Sequence, residues 1–305
     1  MQLPAVPPEK MTRVIISSDV KNEADDQYAI IHALLSPSLE IHGISPAHFG
    51  TRKSLTSMQD SHEELVKILD MMNIAGQVRI ADGAAAALPD DRTPLPSAGA
   101  ELIIAEAMKD DPRPLHIAVM GPMTEVASAL LMEPRIAEKD IRVVFTGGTN
   151  WPSGGYEYNF FNDQHAANVV LRSTLDLWMI PYPTFKWFAV SYAELFEKVY
   201  DKGPLGKYLV EQLIDYNTHR QVGPYEFRSL GDSPIITLLI QPDGGRYELR
   251  PAPELHPQSM HYIHTGKYRP IRIYDWIDSR FCLEDFFAKF ARWHRGLANW
   301  AKLHR

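Results

Sequence analysis

Four carboxylates crowd into one short stretch, SSDVKNEADDQ at residues 17–27: Asp19, Glu23, Asp25 and Asp26. Carboxylates this close repel one another unless protons or a cation compensate, and an oxygen-rich cluster suits a hard divalent ion, Ca²⁺ ahead of Mg²⁺. The same stretch also reads as a solvated acidic loop in which Asp25 or Asp26 caps the next helix. Three later segments carry comparable groups. MGPMTEVASALL (120–131) holds Thr124, TGGTNWPSGGYEYNFFNDQHAA (146–167) holds Glu157, Asn159 and Asp163, and LGDSPIITLLI (230–240) holds Asp232. Taken singly, Thr124 and Asp232 read as helix N-caps and the glycines as turn formers. Capping alone does not explain why the groups follow apolar runs in the same way.

Those runs are the elements that must position them. A β-branched run at 13–18 precedes helical spacing over 26–35, the opening of a βα unit. The alternation recurs: strands at 40–44, 78–81, 115–120, 142–146 and 175–180, helices at 54–72, 98–109, 124–132 and 164–172. This predicts an α/β fold with an open, mostly parallel sheet flanked by helices. Ligands of such sheets sit at the carboxyl ends of the strands, which is where the acidic segments fall. The C-terminal third is less regular, with helices expected at 204–217, 233–241 and 283–303, an extended run at 268–276 and a surface loop at 251–257. The reading is an irregular arm over 1–12 and one domain over 13–305, with 181–228 and 244–267 shaping the pocket rim.

Composition narrows the function. At 305 residues and 45% hydrophobic, the chain can bury a substantial core. Cys282 is the sole cysteine, so an intramolecular disulfide and a multi-thiolate zinc site are excluded. A reducing cytoplasm fits. The start MQLPAVPPEKM lacks a signal-peptide apolar stretch, and no window approaches the roughly 20 apolar residues of a membrane span, so a soluble protein without membrane contact is expected. A net charge of −7 without a Lys/Arg run argues against a nucleic-acid partner.

Together the four segments resemble the inosine-uridine nucleoside hydrolases, whose patterns run roughly DTDPGIDDA, LGPLTN, an EFN in a Gly-rich loop followed by DPEAA, and HDP. DVKNEADDQ is more similar still to a divergent, nucleoside-hydrolase-like branch reading DxxNExDDQ, which also ends in something like RPIRIYDWIDSRF, here 269–281. The resemblance implies a calcium-dependent enzyme that cleaves the N-glycosidic bond of a nucleoside, with Ca²⁺ held by Asp19, Asp26, a Thr124 carbonyl and Asp232. It implies Asp19 as base for the attacking water and Asp25 on the ribose 2′-hydroxyl. Glu157 and Asn159 match the groups that bind the 5′- and 3′-hydroxyls. A homodimer or homotetramer is the implied assembly.

The departures are equally specific. The interval from Asp19 to Asp25 is two residues longer than in the family motif, bringing Asn22 and Glu23 toward metal and substrate. Gly231 stands where the family carries a histidine that protonates the leaving base. ISPAHFGTRKS lacks the asparagine that follows the family's second strand. His48, Trp151, Tyr156 and His165 are candidate replacements, His165 the least attractive because it falls on a helix. Two other functions share these groups: a sugar- or nucleoside-binding protein that kept the cation and lost catalysis, and a Mg²⁺-dependent phosphohydrolase, which would need a basic phosphate clamp the sequence does not display.

Overall fold

The apolar run after Met11 becomes β1 (Thr12–Ser18). Val14, Ile15 and Ile16 are all fully buried, Val14 and Ile16 in one apolar cluster and Ile15 in a second. Successive side chains of a strand point to opposite faces, so an uninterrupted apolar run requires cover on both, as in a parallel sheet between helices.

The computed structural model describes residues 4–220 and 225–305. Residues 1–3 of the expected arm and 221–224 of the expected rim lie outside them. From β1 the chain runs through α1 (Asp26–Leu34), β2 (Leu39–Pro46), α2 (Ser57–Met71), α3 (Ala98–Ala107), β3 (Leu115–Met120), α4 (Thr124–Met132) and β4 (Ile141–Thr146). A Gly-rich loop leads to α5 (Tyr158–Asn162), α6 (Gln164–Arg172), β5 (Asp176–Ile180), α7 (Tyr182–Phe185), β6 (Ala189–Ser191), α8 (Tyr192–Leu195), α9 (Gly203–Arg220), β7 (Phe227–Ser229) and α10 (Ser233–Ile240). Then follow β8 (Gly245–Pro251), β9 (Glu254–Leu255), β10 (Tyr262–Ile263), β11 (Pro270–Ile277), α11 (Ser279–His294) and β12 (Lys302–Leu303).

Eight strands form the central sheet in the order β12-β2-β1-β3-β4-β5-β11-β8, all neighbours parallel except the β11–β8 pair. This is the expected open, mostly parallel sheet. Helices α1, α2, α9, α10 and α11 pack on one face, and α3, α4 and α6 on the other. The order reverses at β1, since β2 lies on one side of it and β3 on the other. That reversal is a topological switch point, and the crevice outside β1 and β3 is the default ligand position.

Three expectations about the elements are corrected. Residues 78–81 form no strand; Ile80 makes a single bridge to Ile44, beyond the start of β2 along which β12 lies. The last helix stops at His294, where Gly296, at φ 68°, turns the chain so that Lys302 and Leu303 can add β12 to the sheet edge. The loop expected at 251–257 contributes the end of β8 and the short β9, which pairs with β10.

The β12 edge is held by charge. Glu40 is buried and accepts hydrogen bonds from Arg113 Nη1 (2.7 Å), His304 Nε2 (2.9 Å) and the Lys302 ammonium. These donors keep its carboxyl at about 2, even though burial opposes them. A depressed pKa stabilises the fold above the unfolded value, and that contribution is lost as pH falls toward 2. Glu40→Gln leaves three donors around a neutral amide, and is expected to destabilise by roughly 2 kcal/mol, less than a fully buried pair because Lys302 is half exposed. The wild-type advantage in denaturant titrations should shrink between pH 4.5 and 2.

Candidate active site

Beyond β1 the chain turns at once into the acidic segment. Asp19 N–H donates to the Met120 carbonyl (3.0 Å), tying the end of β1 to the end of β3 across the switch point. Gly121, at φ 158°, must stay without a side chain, because a Cβ there would lie 3.1 Å from the Asp19 carboxyl carbon. Asp25 and Asp26 then begin α1, and Asp232 precedes α10. Neither Asp25 nor Asp232 caps its helix, since their side chains accept no bond from the first-turn N–H groups.

The carboxylates turn inward instead, three of them toward a donor from another element and Asp19 toward one in its own loop. Asp26 Oδ1 accepts from the Ser18 hydroxyl (2.6 Å), Asp232 Oδ1 from Thr146 (2.9 Å), Asp25 Oδ2 from the Gly231 N–H (2.7 Å) and Asp19 Oδ2 from Asn22 Nδ2 (2.9 Å). One oxygen each of Asp25, Asp26 and Asp232 comes within 4.8 Å of the others. Asp19, Asp25 and Asp26 are buried, and Asp232 is partly so. Burial pushes the Asp19, Asp26 and Asp232 carboxyls well above the ordinary range, and their neighbours' charges push them further. Asp25 is pushed up to about 6 by burial, with Arg228 pulling the other way. Three or four anionic groups with so few cations are an oxygen donor set suited to a hard divalent ion. Asp25, Asp26 and Asp232 are the residues that would hold it, with Asp19 at their side.

These groups form the floor of a cleft of about 790 Å³. Asn22, Glu23, Glu157 and Asn159 also line it, as expected for substrate-binding groups. Glu157 is fixed as the cap of α5, accepting from Gly148, Asn159 and Phe160 N–H groups at 2.9–3.1 Å. Asn159 Nδ2 donates to the Thr146 carbonyl (2.7 Å). The longer interval between Asp19 and Asp25 is braced from outside: Lys53 donates to the Asn22 carbonyl (2.9 Å), and Glu23 pairs with Arg228. The upper walls are aromatic, with Tyr156, Tyr158, Tyr182, Phe185, Trp187 and Phe227, and Trp187 is 69% exposed.

Thr124, His48 and Trp151 do not line this cleft. Thr124 donates its hydroxyl to Asp163 (2.8 Å) and meets His48 Nε2 (2.8 Å), so the two residues satisfy each other in the interior. Burial lowers the His48 imidazole to about 4, leaving it neutral. Trp151 packs on Tyr262 and borders a separate hollow with Glu248 and Arg250. Tyr156 reaches the cleft, while His165 is exposed on α6. Ser18, Thr146, Lys53, Arg228 and Trp187 were not anticipated. Ser18 and Thr146 had a readable signal, a hydroxyl closing an apolar strand; Arg228 had none.

The chain matches the model of the inosine-uridine preferring nucleoside hydrolase family over residues 14–268. It is 27% identical over 182 residues to the pyrimidine-specific ribonucleoside hydrolase RihA of Citrobacter koseri, covering 51% of this chain and 55% of that one. With the Salmonella typhimurium protein of the same name it shares 30% over 175 residues, 51% and 56% of the two chains. The match thus spans about half the length of these curated relatives. Among solved structures, the purine-preferring ribonucleoside hydrolase from Gardnerella vaginalis superposes with a TM-score of 0.75 at 18% identity, over 93% of this chain and 99% of the other. That likeness covers the fold. Among the described residues, no helix is long and apolar enough to cross a membrane.

Raised carboxyl pKa values mean the folded, cation-free protein holds protons that the unfolded chain releases. Their stabilising effect is full below about 3.8 and is lost as pH rises through the folded values, about 6 for Asp25. A divalent ion reverses the trend, because it requires ionised oxygens. In differential scanning fluorimetry the melting shift on adding the ion at 100 times its Kd should be roughly 5 °C at pH 8 and much smaller at pH 5. Asp26→Asn should raise the cation-free melting temperature and remove the shift.

Proposed function

The chain belongs to the inosine-uridine preferring nucleoside hydrolase family, and from that premise we propose that it is a Ca²⁺-dependent N-glycosyl hydrolase releasing free base and ribose from a nucleoside or nucleoside-like riboside. The observation that carries this reading is the convergence of Asp25, Asp26 and Asp232 oxygens within 4.8 Å on the floor of an aromatic-walled cleft.

A bound Ca²⁺ would make water more acidic and fix the orientation of the sugar diol. The chain's own groups do the rest. Asp19 is the base that takes a proton from the attacking water; Asn22 holds one of its oxygens (2.9 Å), leaving the other for that proton. Asp25 engages the ribose 2′-hydroxyl, its carboxylate braced by the Gly231 N–H. Glu157 and Asn159 receive the 5′ and 3′ hydroxyls. Glu157 is already held by three backbone donors, so it meets the sugar with little further loss of side-chain freedom. Cleavage passes through an oxocarbenium-like state, whose positive charge the surrounding carboxylates stabilise. The aromatic walls receive the base by stacking.

Release of reducing sugar from purine and pyrimidine nucleosides, with Ca²⁺ and after chelation, tests the reading. Chelator-sensitive turnover is expected, and Asp19→Asn should lower kcat by about 10²- to 10⁴-fold, the usual cost of losing a general base, with a smaller effect on KM. Turnover that survives both chelation and Asp19→Asn would contradict it. Tight riboside binding without turnover would make the protein a sugar-binding relative.

A further inference from the structure

We propose that the preferred substrates are ribosides of a permanently cationic heterocycle, an N-alkylated purine or a pyridinium, which leave as neutral bases. The proposal rests on the hydrolase reading above and narrows it to a substrate class.

When a neutral nucleoside is cleaved, the C1′–N electron pair stays on the base, and a proton must be delivered to the ring to keep the leaving group from departing as an anion. The base end of this cleft is poorly equipped for that. No histidine lines it among the described residues. At Gly231 there is no side chain to donate, the backbone N–H is committed to Asp25, and the space is tight: a Cβ would lie 3.1 and 3.4 Å from two Phe185 ring carbons and 3.3 Å from Asp25 Oδ2. Phe185 and Phe227 have no proton to give, and burial raises the Tyr156 hydroxyl, making it a poorer donor.

The same walls suit a positive ring. Of the residues lining the cleft, six are acidic and two, Lys186 and Arg228, are basic; with Lys53 just behind the lining on Asn22, the site still retains negative charge after one divalent ion binds. Trp187, Tyr182 and Phe227 present exposed faces at the rim. Two of these faces already hold a cation: the Lys186 ammonium stands 5.0 Å from the Trp187 ring centre and 6.0 Å from that of Tyr182. Lys186 is exposed and can swing away, leaving the rings to a cationic heterocycle.

The chemistry then balances without an acid. Water supplies hydroxyl to the anomeric carbon, and the C1′–N pair passes into the ring, cancelling its charge. The remaining water proton goes to Asp19 and on to solvent. The products are ribose, a neutral base and one proton.

The test compares nicotinamide riboside with uridine across pH 6–9, and 7-methylguanosine with guanosine at pH 6, where the methylated base still carries its N1 proton and is cationic, by kcat/KM in the Ca²⁺-loaded protein, each corrected for its uncatalysed rate. A preference of about 100-fold for the cationic member is expected, the usual contribution of a missing general acid, with no loss of nicotinamide riboside turnover at alkaline pH. Trp187→Ala should raise KM for the cationic substrates by about 10-fold. Lys186→Met should leave their turnover intact or increase it. Guanosine cleaved as well as 7-methylguanosine would overturn the proposal and leave the hydrolase reading standing, as would loss of neutral-nucleoside turnover in Lys186→Met, which would make Lys186 the acid. If none of the four is cleaved while Ca²⁺ is bound, the hydrolase reading falls and the proposal with it.

Discussion

Four carboxylates at one end of the sheet, three buried and Asp232 partly so, are the constraint on which the rest of the molecule turns. An ionised carboxylate removed from water costs several kcal/mol unless hydrogen bonds and opposite charge compensate. Here each receives a donor from a different place: Ser18 from the end of β1, Thr146 from the end of β4, the Gly231 backbone ahead of α10, and Asn22 from the loop itself. Asp26 also opens α1 and Asp232 precedes α10, where the helix dipole favours negative charge. These contacts offset part of the cost. The like-charge repulsion that remains is what makes a divalent ion the natural completion of the site.

The fold supplies the geometry for this arrangement. Reversal of strand order at β1 opens a crevice between β1 and β3, and α1 leaves β1 pointing its first turn into it. All nine residues of α1 are buried, Asp26, Gln27 and His32 included, so the helix cannot rock without disturbing both the sheet and the outer layer. Above this rigid floor the walls change character. The aromatic residues come from the Gly-rich loop, the start of α5, α7 and the turn after it, and β7, and several are exposed, so the mouth of the cleft is more adaptable than its floor. Arg228 and Lys53 connect the two levels, each bracing the lengthened acidic loop from a separate segment.

Much of the sheet was legible because parallel strands are buried on both faces and read as unbroken apolar runs; β3, α4 and α6 have the bounds their spacing predicts. The edges were not. β8 is an exposed antiparallel strand whose sequence, GRYELRP, mixes charge with apolar residues, and β12 is two residues long and exists only by pairing with β2. Residues 78–81 have strand composition, but they make a single bridge, Ile80 to Ile44, beyond the Glu40 and Ile41 positions that β12 pairs with. Asp19, Asp25, Asp26, Asp232, Glu157 and Asn159 were singled out from their spacing and family likeness, and all six line one cleft. Trp151 was misread because an aromatic in a Gly-rich loop can turn to either side, and here Tyr262 draws it away. Arg228 was invisible because its partner, Glu23, is some two hundred residues distant in the chain.

The most direct measurement is calorimetric titration of Ca²⁺ into the purified protein at pH 7.5, alongside Asp26→Asn and Asp232→Asn variants whose folding is verified by circular dichroism. One saturable site per chain is expected in the wild type, lost in both variants. Absence of saturable binding in the wild type, or binding unchanged in folded variants, would show that the buried carboxylates are compensated by protons alone, and the metal-centred reading of the site would be wrong.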